Sequence, residues 1–486
     1  MKAAMMLTME TNARAVAVEL LARWRHLHEP PLIPEHESAF WSNLSPRDRA
    51  FAFDLIHGII RWRGTLDHII RVLLRRSEDQ LEPLVRAILQ LGAYQLLMQG
   101  GAADYAVIDT SVNLARRCGA ARAAGLVNAV LRHIQRLRVG AQPRQAPRPD
   151  AFALDARREM RLSKPIFPDP KTDFSAYLAA AASHPPELVA AMLAWLGPDL
   201  ILPIMIADNC RPPIALRADR PDFSPPPDAG LRSHEEPGYF LAAAGWTSSV
   251  EALVQRGELC PQDSTAGLAV RELIGLLQDR STERPVAVSA HADRSANLKI
   301  LDLCAGLGTK TVQLARAFPT ADITAADVAP EKLRRLSVCV RRLGLANVSV
   351  LPAAIIKSDT ENHPDGERDR PFDIILVDAP CSNTGVLARR VQSRWRWPAL
   401  NRAALFDQQR KLLQWAAGVL ADRGWLVYST CSIDPEENRS GVTAALLQDR
   451  KSSWRVLSDK VVLPTDTGDP AQRRDGGFVC ILRRAG

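Results

Sequence analysis

Leu301-Asp302-Leu303-Cys304-Ala305-Gly306-Leu307-Gly308-Thr309-Lys310-Thr311 is the stretch that decides the fold. An apolar strand gives way to two glycines and then to a helix start. Glycine lets the backbone turn sharply and approach a ligand closely, and the first turn of a helix offers N–H groups with no partner inside the helix. Asp327 closes the next strand, Ile323-Thr324-Ala325-Ala326-Asp327. A carboxylate there can accept hydrogen bonds from both hydroxyls of a ribose. The spacing is neither G-x-G-x-x-G nor G-x-x-x-x-G-K-[ST]. The loop alone therefore points to a nucleoside-type cofactor or, more plainly, to a tight turn.

Outward from this loop the pattern alternates. Strands are expected at 299–303, 321–326, 348–351, 372–377, 425–429 and 477–482, and helices at 310–317, 330–343 and 400–420. Such alternation predicts a Rossmann-like α/β domain over 299–486, with a largely parallel sheet and ligands beyond the carboxyl ends of its strands. Two further segments follow strands and belong on that same edge. One is Asp378-Ala379-Pro380-Cys381-Ser382-Asn383-Thr384-Gly385, the other Tyr428-Ser429-Thr430-Cys431-Ser432. They bring a carboxylate and two thiols to the ligand side.

That set suits methyl transfer to a pyrimidine. Carbon 5 of a pyrimidine is a poor nucleophile until a thiolate adds to carbon 6. An acid near the ring nitrogen offsets the developing charge, and a second thiol can assist release of the first. The base must leave its stack to be reached. Cys381 and Cys431 are equally readable as small buried hydrophobes, and position alone does not choose.

The rest of the chain reads as a multidomain protein with an all-α front. Apolar residues recur at helical spacing through 11–139, so residues 1–140 are expected to form a helical domain. They carry 18 Lys+Arg against 13 Asp+Glu, and the whole chain of 486 residues has a formal charge of +8. This balance suits RNA and suits an ordinary solvated surface equally. Arg61-Trp62-Arg63-Gly64 is either a phosphate- and base-binding patch or a helix segment with a buried Trp. Residues 141–174, rich in Pro and Arg, read as a linker. Residues 175–278 read as an α+β segment leading into the catalytic domain, and 279–298 as a polar insertion.

No stretch is expected to cross a membrane, and Met1–Glu10 does not read as a secretory signal. Eight cysteines without a C-x-x-C pair suggest neither a disulfide framework nor a metal site. A reducing cytoplasm and a monomer are the plain expectations.

The motifs resemble those of the RNA 5-methylcytosine methyltransferase family. The D-A-P-C-S-x-T-G pattern stands at 378–385, and T-C-S at 430–432 is followed by Pro435-Glu436-Glu437-Asn438. Asp475-Gly476-Gly477-Phe478 closes the series, and Gln262-Asp263-Ser264 resembles the family's lead-in. Within the family the chain is similar to the small-subunit ribosomal RNA methyltransferase B group. Arg47-Asp48-Arg49-Ala50-Phe51, Tyr94-Gln95-Leu96-Leu97 and Gly125-Leu126-Val127-Asn128-Ala129-Val130-Leu131-Arg132 resemble its NusB-like, RNA-binding front.

The resemblance implies S-adenosyl-L-methionine as cofactor and RNA, above all small-subunit ribosomal RNA, as partner. It implies Cys431 as nucleophile, Cys381 as the thiol that helps release product, and Asp378 as the acid at the target base beside the cofactor. It places Cys304, Ala305, Gly306, Leu307, Gly308, Thr309 and Lys310 around the cofactor and Asp327 on its ribose. The sequence departs from the family's C-A-A-P-G-G-K at Leu307 and Thr309, and Pro352-Ala353-Ala354 replaces an expected Asp. Two alternatives stay open at this point: a transfer RNA cytosine-5 methyltransferase, and a non-catalytic RNA-binding factor for ribosome assembly or transcription.

Overall fold

The computed structural model describes residues 12–24, 41, 43–75, 80–220, 222–279, 298–354, 372–448 and 454–484. The insertion expected at 279–298 falls almost wholly outside the described residues. The chain forms two compact units, Met1–Arg211 with Leu387–Leu400, and Pro212–Val386 with Asn401–Gly486.

The first unit opens with α1 (Ala13–Ala22), α2 (Pro46–Leu74), α3 (Pro83–Tyr94), α4 (Asp104–Arg117) and α5 (Ala124–Leu137). Local chemistry sets the ends of α2. Ser45 Oγ accepts the Asp48 N–H at 3.1 Å, and Pro46 occupies a first-turn position where no N–H is needed. The spacing of Val127, Val130, Leu131, Ile134 and Leu137 puts them on one buried face of α5.

Arg61, Trp62 and Arg63 lie inside α2 and are buried, so this segment is core and not a base-stacking surface. Arg63 stacks over the Trp24 ring at 3.5 Å and pairs with Asp67 at 3.1 Å. The Leu387–Leu400 segment packs in this same unit through Arg394, which is fully buried. Its guanidinium donates to the Arg61 and Ser183 carbonyls at 3.2 Å each, to Asn209 Oδ1 at 2.7 Å and to the Asp208 carbonyl at 2.9 Å. Burial pulls its pKa down to about 9.

Residues 141–174 are not the linker that their composition suggested. β1 (Arg138–Pro143), β2 (Ala151–Ala153) and β3 (Arg158–Leu162) form an antiparallel sheet in the order β1-β3-β2. Phe152, Met160, Leu162 and Phe167 supply its apolar contacts, and Arg–carboxylate pairs replace the usual alternation. Arg148 pairs with Glu159, and Asp150 with Arg148 at 3.4 Å and Arg161 at 2.8 Å.

After α6 (Phe174–Ala181) comes α7 (Pro186–Asn209), long and apolar enough for a membrane span where the sequence reading found none. The helix is broken at Gly197 (φ 75°, ψ 173°) and contains Pro198 and Pro203. Neither half reaches the ~20 residues a span requires. Leu188, Val189, Met192, Ile201, Ile204 and Met205 are buried, as in a core helix.

The second unit begins with β4 (Ile214–Ala218), β5 (Leu231–Ser233), β6 (Tyr239–Ala242), α8 (Ser248–Gln255) and β7 (Leu259–Pro261), whose strands form a small antiparallel sheet. Then follow α9 (Leu268–Gln278), β8 (Lys299–Leu303), α10 (Thr309–Ala317), β9 (Asp322–Asp327), α11 (Pro330–Arg342), β10 (Val348–Pro352), β11 (Phe372–Asp378), α12 (Arg402–Val419), β12 (Leu420–Thr430), β13 (Trp454–Val462) and β14 (Gly477–Arg484).

The main sheet has seven strands in the order β10-β9-β8-β11-β12-β14-β13. The first five are parallel, and β14 is antiparallel to both β12 and β13. Its central strand β11 carries the unbroken apolar run Ile374-Ile375-Leu376-Val377 because core residues pack on both faces of the sheet, leaving two core layers. The strand order reverses between β8 and β11, which opens a crevice at their carboxyl ends.

Candidate active site

The β8–α10 loop forms one wall of that crevice. Cys304, Gly306 and Gly308 all have positive φ, at 68°, 62° and 87°. Gly308 permits tight helix packing, since a Cβ there would lie 2.2 Å from Leu336 Cδ1. At Gly306 the nearest such contact is the Cys304 carbonyl at 3.9 Å, so the backbone is open on one side.

The Gly306 N–H donates to Asp327 Oδ2 at 3.0 Å, and the Ala329 N–H to Oδ1 at 2.8 Å. Asp327 thus sits at the end of β9 in a fixed orientation with lone pairs to spare. Leu307 and Val328, 49% and 84% exposed, present apolar side chains on the two loops. An open glycine backbone, an oriented carboxylate and apolar faces are a donor set that fits the amino-acid, ribose and adenine parts of S-adenosylmethionine. Val328 carries no polar signal and was not singled out in the sequence.

Lys310, one residue into α10, reaches across to β11. Its Nζ lies 2.6 Å from Asp378 Oδ2. Ser429, in β12, donates its hydroxyl to Asp378 Oδ1 at 2.8 Å. Burial works against the Lys310 charge, but Asp378 more than offsets it and the pKa is raised.

The two motif cysteines meet. Cys381 Sγ and Cys431 Sγ are 2.8 Å apart, and Cys431 Sγ also donates to Asn383 Oδ1 at 3.3 Å. Asn383 holds a left-handed backbone (φ 64°) and returns Nδ2 to the Cys381 carbonyl at 3.0 Å. The loops are cross-tied where Thr384 Oγ1 bonds Ser432 Oγ at 2.8 Å and the Gly385 N–H donates to the Cys431 carbonyl at 3.0 Å. The hydrogen bond with Cys431, burial and nearby negative charge push the Cys381 pKa well up, so this thiol stays protonated in the neutral range. Cys304, by contrast, is separate from the pair: burial and Asp327 raise it to about 12, and its contribution is backbone shape.

Sequence reasoning named both thiols, Asp378, Asp327 and the glycine loop. It did not find Ser429 or Glu437 as contacts. Ser429 stands between named motif residues, and Glu437 lay inside a quoted motif without an assigned task.

The fold and this crevice are those of an S-adenosylmethionine-dependent methyltransferase, and the family matches give RNA as its substrate class. Residues 291–472 match the family described as 16S rRNA methyltransferase RsmB/F, and residues 11–136 match the NusB family. The protein MT1451 of Mycobacterium tuberculosis, named as a methyltransferase, is 30% identical over 90% of this chain and 89% of its own length. The Ribosomal RNA small subunit methyltransferase B of Klebsiella pneumoniae is 30% identical over 83% of this chain and 82% of its own. The chain belongs to the RsmB/F methyltransferase family. The crystal structure of PH0851 shares the fold, with a TM-score of 0.65 at 17% identity, covering 98% of this chain and 100% of that one.

Proposed function

We propose that this protein methylates carbon 5 of a cytosine in small-subunit ribosomal RNA, with Cys431 as the nucleophile. The observation that carries the reading is the 2.8 Å meeting of Cys381 and Cys431 on the crevice edge, beside the Lys310–Asp378 pair. The substrate class rests on relatives named Ribosomal RNA small subunit methyltransferase B and on the NusB-like front. The protein works in the cytoplasm, where its thiols remain reduced.

S-adenosylmethionine, when bound, supplies an electrophilic methyl on a sulfonium. Cys304, Ala305, Gly306, Leu307, Gly308, Thr309 and Lys310 would line it, with Asp327 at its ribose. Cys431 gives up its proton to water and adds as the thiolate to carbon 6 of a cytosine turned out of its stack, which makes carbon 5 nucleophilic. Asp378 is the acid at the ring nitrogen that offsets the charge developing there, with Lys310 beside it. After carbon 5 takes the methyl, its proton passes to water, and the electron pair of that C–H bond reforms the 5,6 double bond as the Cys431 thiolate departs. Cys381, held protonated at 2.8 Å, gives its proton to that departing sulfur and is reprotonated from water, so the cycle releases one proton in all.

Bisulfite sequencing of total RNA from cells with and without the gene tests the reading. Loss of protection at one cytosine of small-subunit ribosomal RNA is the expected result. Loss in transfer RNA would keep the chemistry and change the substrate. No change in any RNA would overturn the activity.

A further inference from the structure

Ser382 follows Cys381 and Ser432 follows Cys431 in sequence, and both serines turn their hydroxyls to one side chain. That side chain is Glu437, fully buried in the second unit. Its Oε2 accepts the Ser382 N–H at 2.8 Å and Gln409 Nε2 at 3.0 Å. Its Oε1 accepts the Ser432 hydroxyl at 2.7 Å and also the Ser382 hydroxyl. Four donors fill the acceptor sites of one carboxylate, and no Lys or Arg among the described residues pairs with it.

We propose that Glu437 is the positioning residue that sets the separation of the two catalytic thiols; this rests on the function proposed above. The two cysteine loops end different strands, β11 and β12, and strand pairing stops before either thiol: the last paired residues are Asp378 and Ser429. Beyond that point the loops are joined by two backbone bonds, Ala379 N–H to the Ser429 carbonyl and Gly385 N–H to the Cys431 carbonyl, and otherwise by side chains, of which Glu437 grips both loops at the residue after each cysteine.

Its own platform is rigid. The Tyr428 hydroxyl donates to the Glu437 carbonyl at 2.8 Å, and Asn438 Nδ2 to the Ser432 carbonyl at 2.9 Å. Gln409, on α12, donates as well to the Pro380 carbonyl at 2.8 Å, just before Cys381. A buried carboxylate without a counter-ion is costly unless every lone pair is used. Here its four bonds serve the two thiol loops and the helix behind them.

Position and charge make different forecasts for the amide. In Glu437→Gln the amide oxygen can face the Ser382 N–H and Gln409, and the amide NH2 can face the two hydroxyls, which rotate to accept. Glu437→Gln thus keeps the geometry without the charge, and Glu437→Ala removes both.

The test uses the full-length protein and two readouts. Phenylarsine oxide reads the thiol spacing: one arsenical condenses with two adjacent thiols to a dithioarsenite and releases one water. Peptide mass mapping scores the Cys381–Cys431 bridge, with Cys381→Ala as the blank. Single-turnover methyl transfer reads the chemistry, and KM values for RNA and cofactor are measured beside it. The expected result is bridging and near-wild-type kcat in Glu437→Gln. In Glu437→Ala we expect loss of the bridge and a fall in kcat of about 100-fold, with KM values little changed, as for an error of about 1 Å at reacting groups.

If Glu437→Ala does not fold, Ser432→Ala combined with Ser382→Ala takes its place with the same expectations. Intact bridging and normal kcat in the alanine variants would overturn the proposal. So would a Glu437→Gln protein as impaired as Glu437→Ala, since charge would then be the operative property. Bridging in the wild type without methyl transfer to any RNA would instead refute the enzymatic reading, because the arsenical reports spacing alone.

Discussion

Lys310 Nζ lies 2.6 Å from Asp378 Oδ2 and so joins the cofactor loop to the first cysteine motif. The pair orients Asp378 together with the Ser429 hydroxyl at 2.8 Å. Lys310→Met leaves that carboxylate without its cation, and Asp378→Asn leaves a buried ammonium without its anion. Each is expected to lower kcat/KM by about 100-fold, the scale for loss of one preorganised electrostatic contact. The two residues act as a unit, so the double variant should lose far less than the product of the single losses. Strict multiplication of the losses in such a cycle would show that the pair is not coupled.

The paired thiols have separable tasks. Cys381→Ala leaves Cys431 free to add to carbon 6 but removes the neighbour that assists its departure. A covalent protein–RNA adduct should therefore accumulate and appear as a slow-migrating band in denaturing gels. Cys431→Ala should form none. The opposite pattern would exchange the two assignments.

Gly385 sits where the thiol loops meet the 475–478 segment. A Cβ there would lie 2.6 Å from the Gly476 carbonyl carbon, 2.7 Å from its oxygen and 3.0 Å from the Cys431 carbonyl oxygen. All three are backbone atoms that cannot turn aside. Gly385→Ala is expected to destabilise the protein by about 1–3 kcal/mol, the usual cost of overpacking, and to depress methyl transfer strongly. Gly275, inside α9, is the contrast: nothing lies within 4 Å of its added Cβ. Gly275→Ala should stabilise the protein by about 0.5–1 kcal/mol through helix propensity, without touching activity. Thermal unfolding of the two variants side by side checks both signs.

The parts of this protein legible in the sequence are those where one physical signal dominates. Ile300, Leu301, Leu303, Ile374, Ile375, Leu376 and Val377 lie in strands buried on both faces, and such strands show as apolar runs. β13 escaped notice because it is an edge strand with mixed burial, and Arg455, Asp459 and Lys460 interrupt its pattern. The sheet at 138–162 escaped for a related reason, since Arg–carboxylate pairs do the work usually left to alternating apolar residues. In the site, cysteines after strand ends are conspicuous. A glutamate buried by four donors is not, because burial of a charge depends on partners that lie far away in sequence, here Ser382 and Gln409.

Asp302 provides a pH test of the crevice floor. It is fully buried in β8, and Thr311 Oγ1 donates to its Oδ2 at 2.6 Å. Burial pushes its pKa up to about 7, against the hydrogen bond from Thr311. In the unfolded chain the same carboxyl ionises near pH 4. Between those values the folded state holds a proton that the unfolded state has released. The stabilising contribution is therefore full below about pH 4, is lost progressively as pH rises toward 7, and is constant above. Moving this ionisation from near 4 to about 7 is worth at most about 4 kcal/mol. Asp302→Asn has nothing to titrate, and Thr311 can still donate to its amide oxygen. Relative to wild type, the variant should gain stability on going from pH 5 to pH 8, measured as the difference in denaturant midpoints at the two pH values. Parallel curves for the two proteins would mean that Asp302 is already ionised in the folded state, and that the crevice floor carries a negative charge at neutral pH.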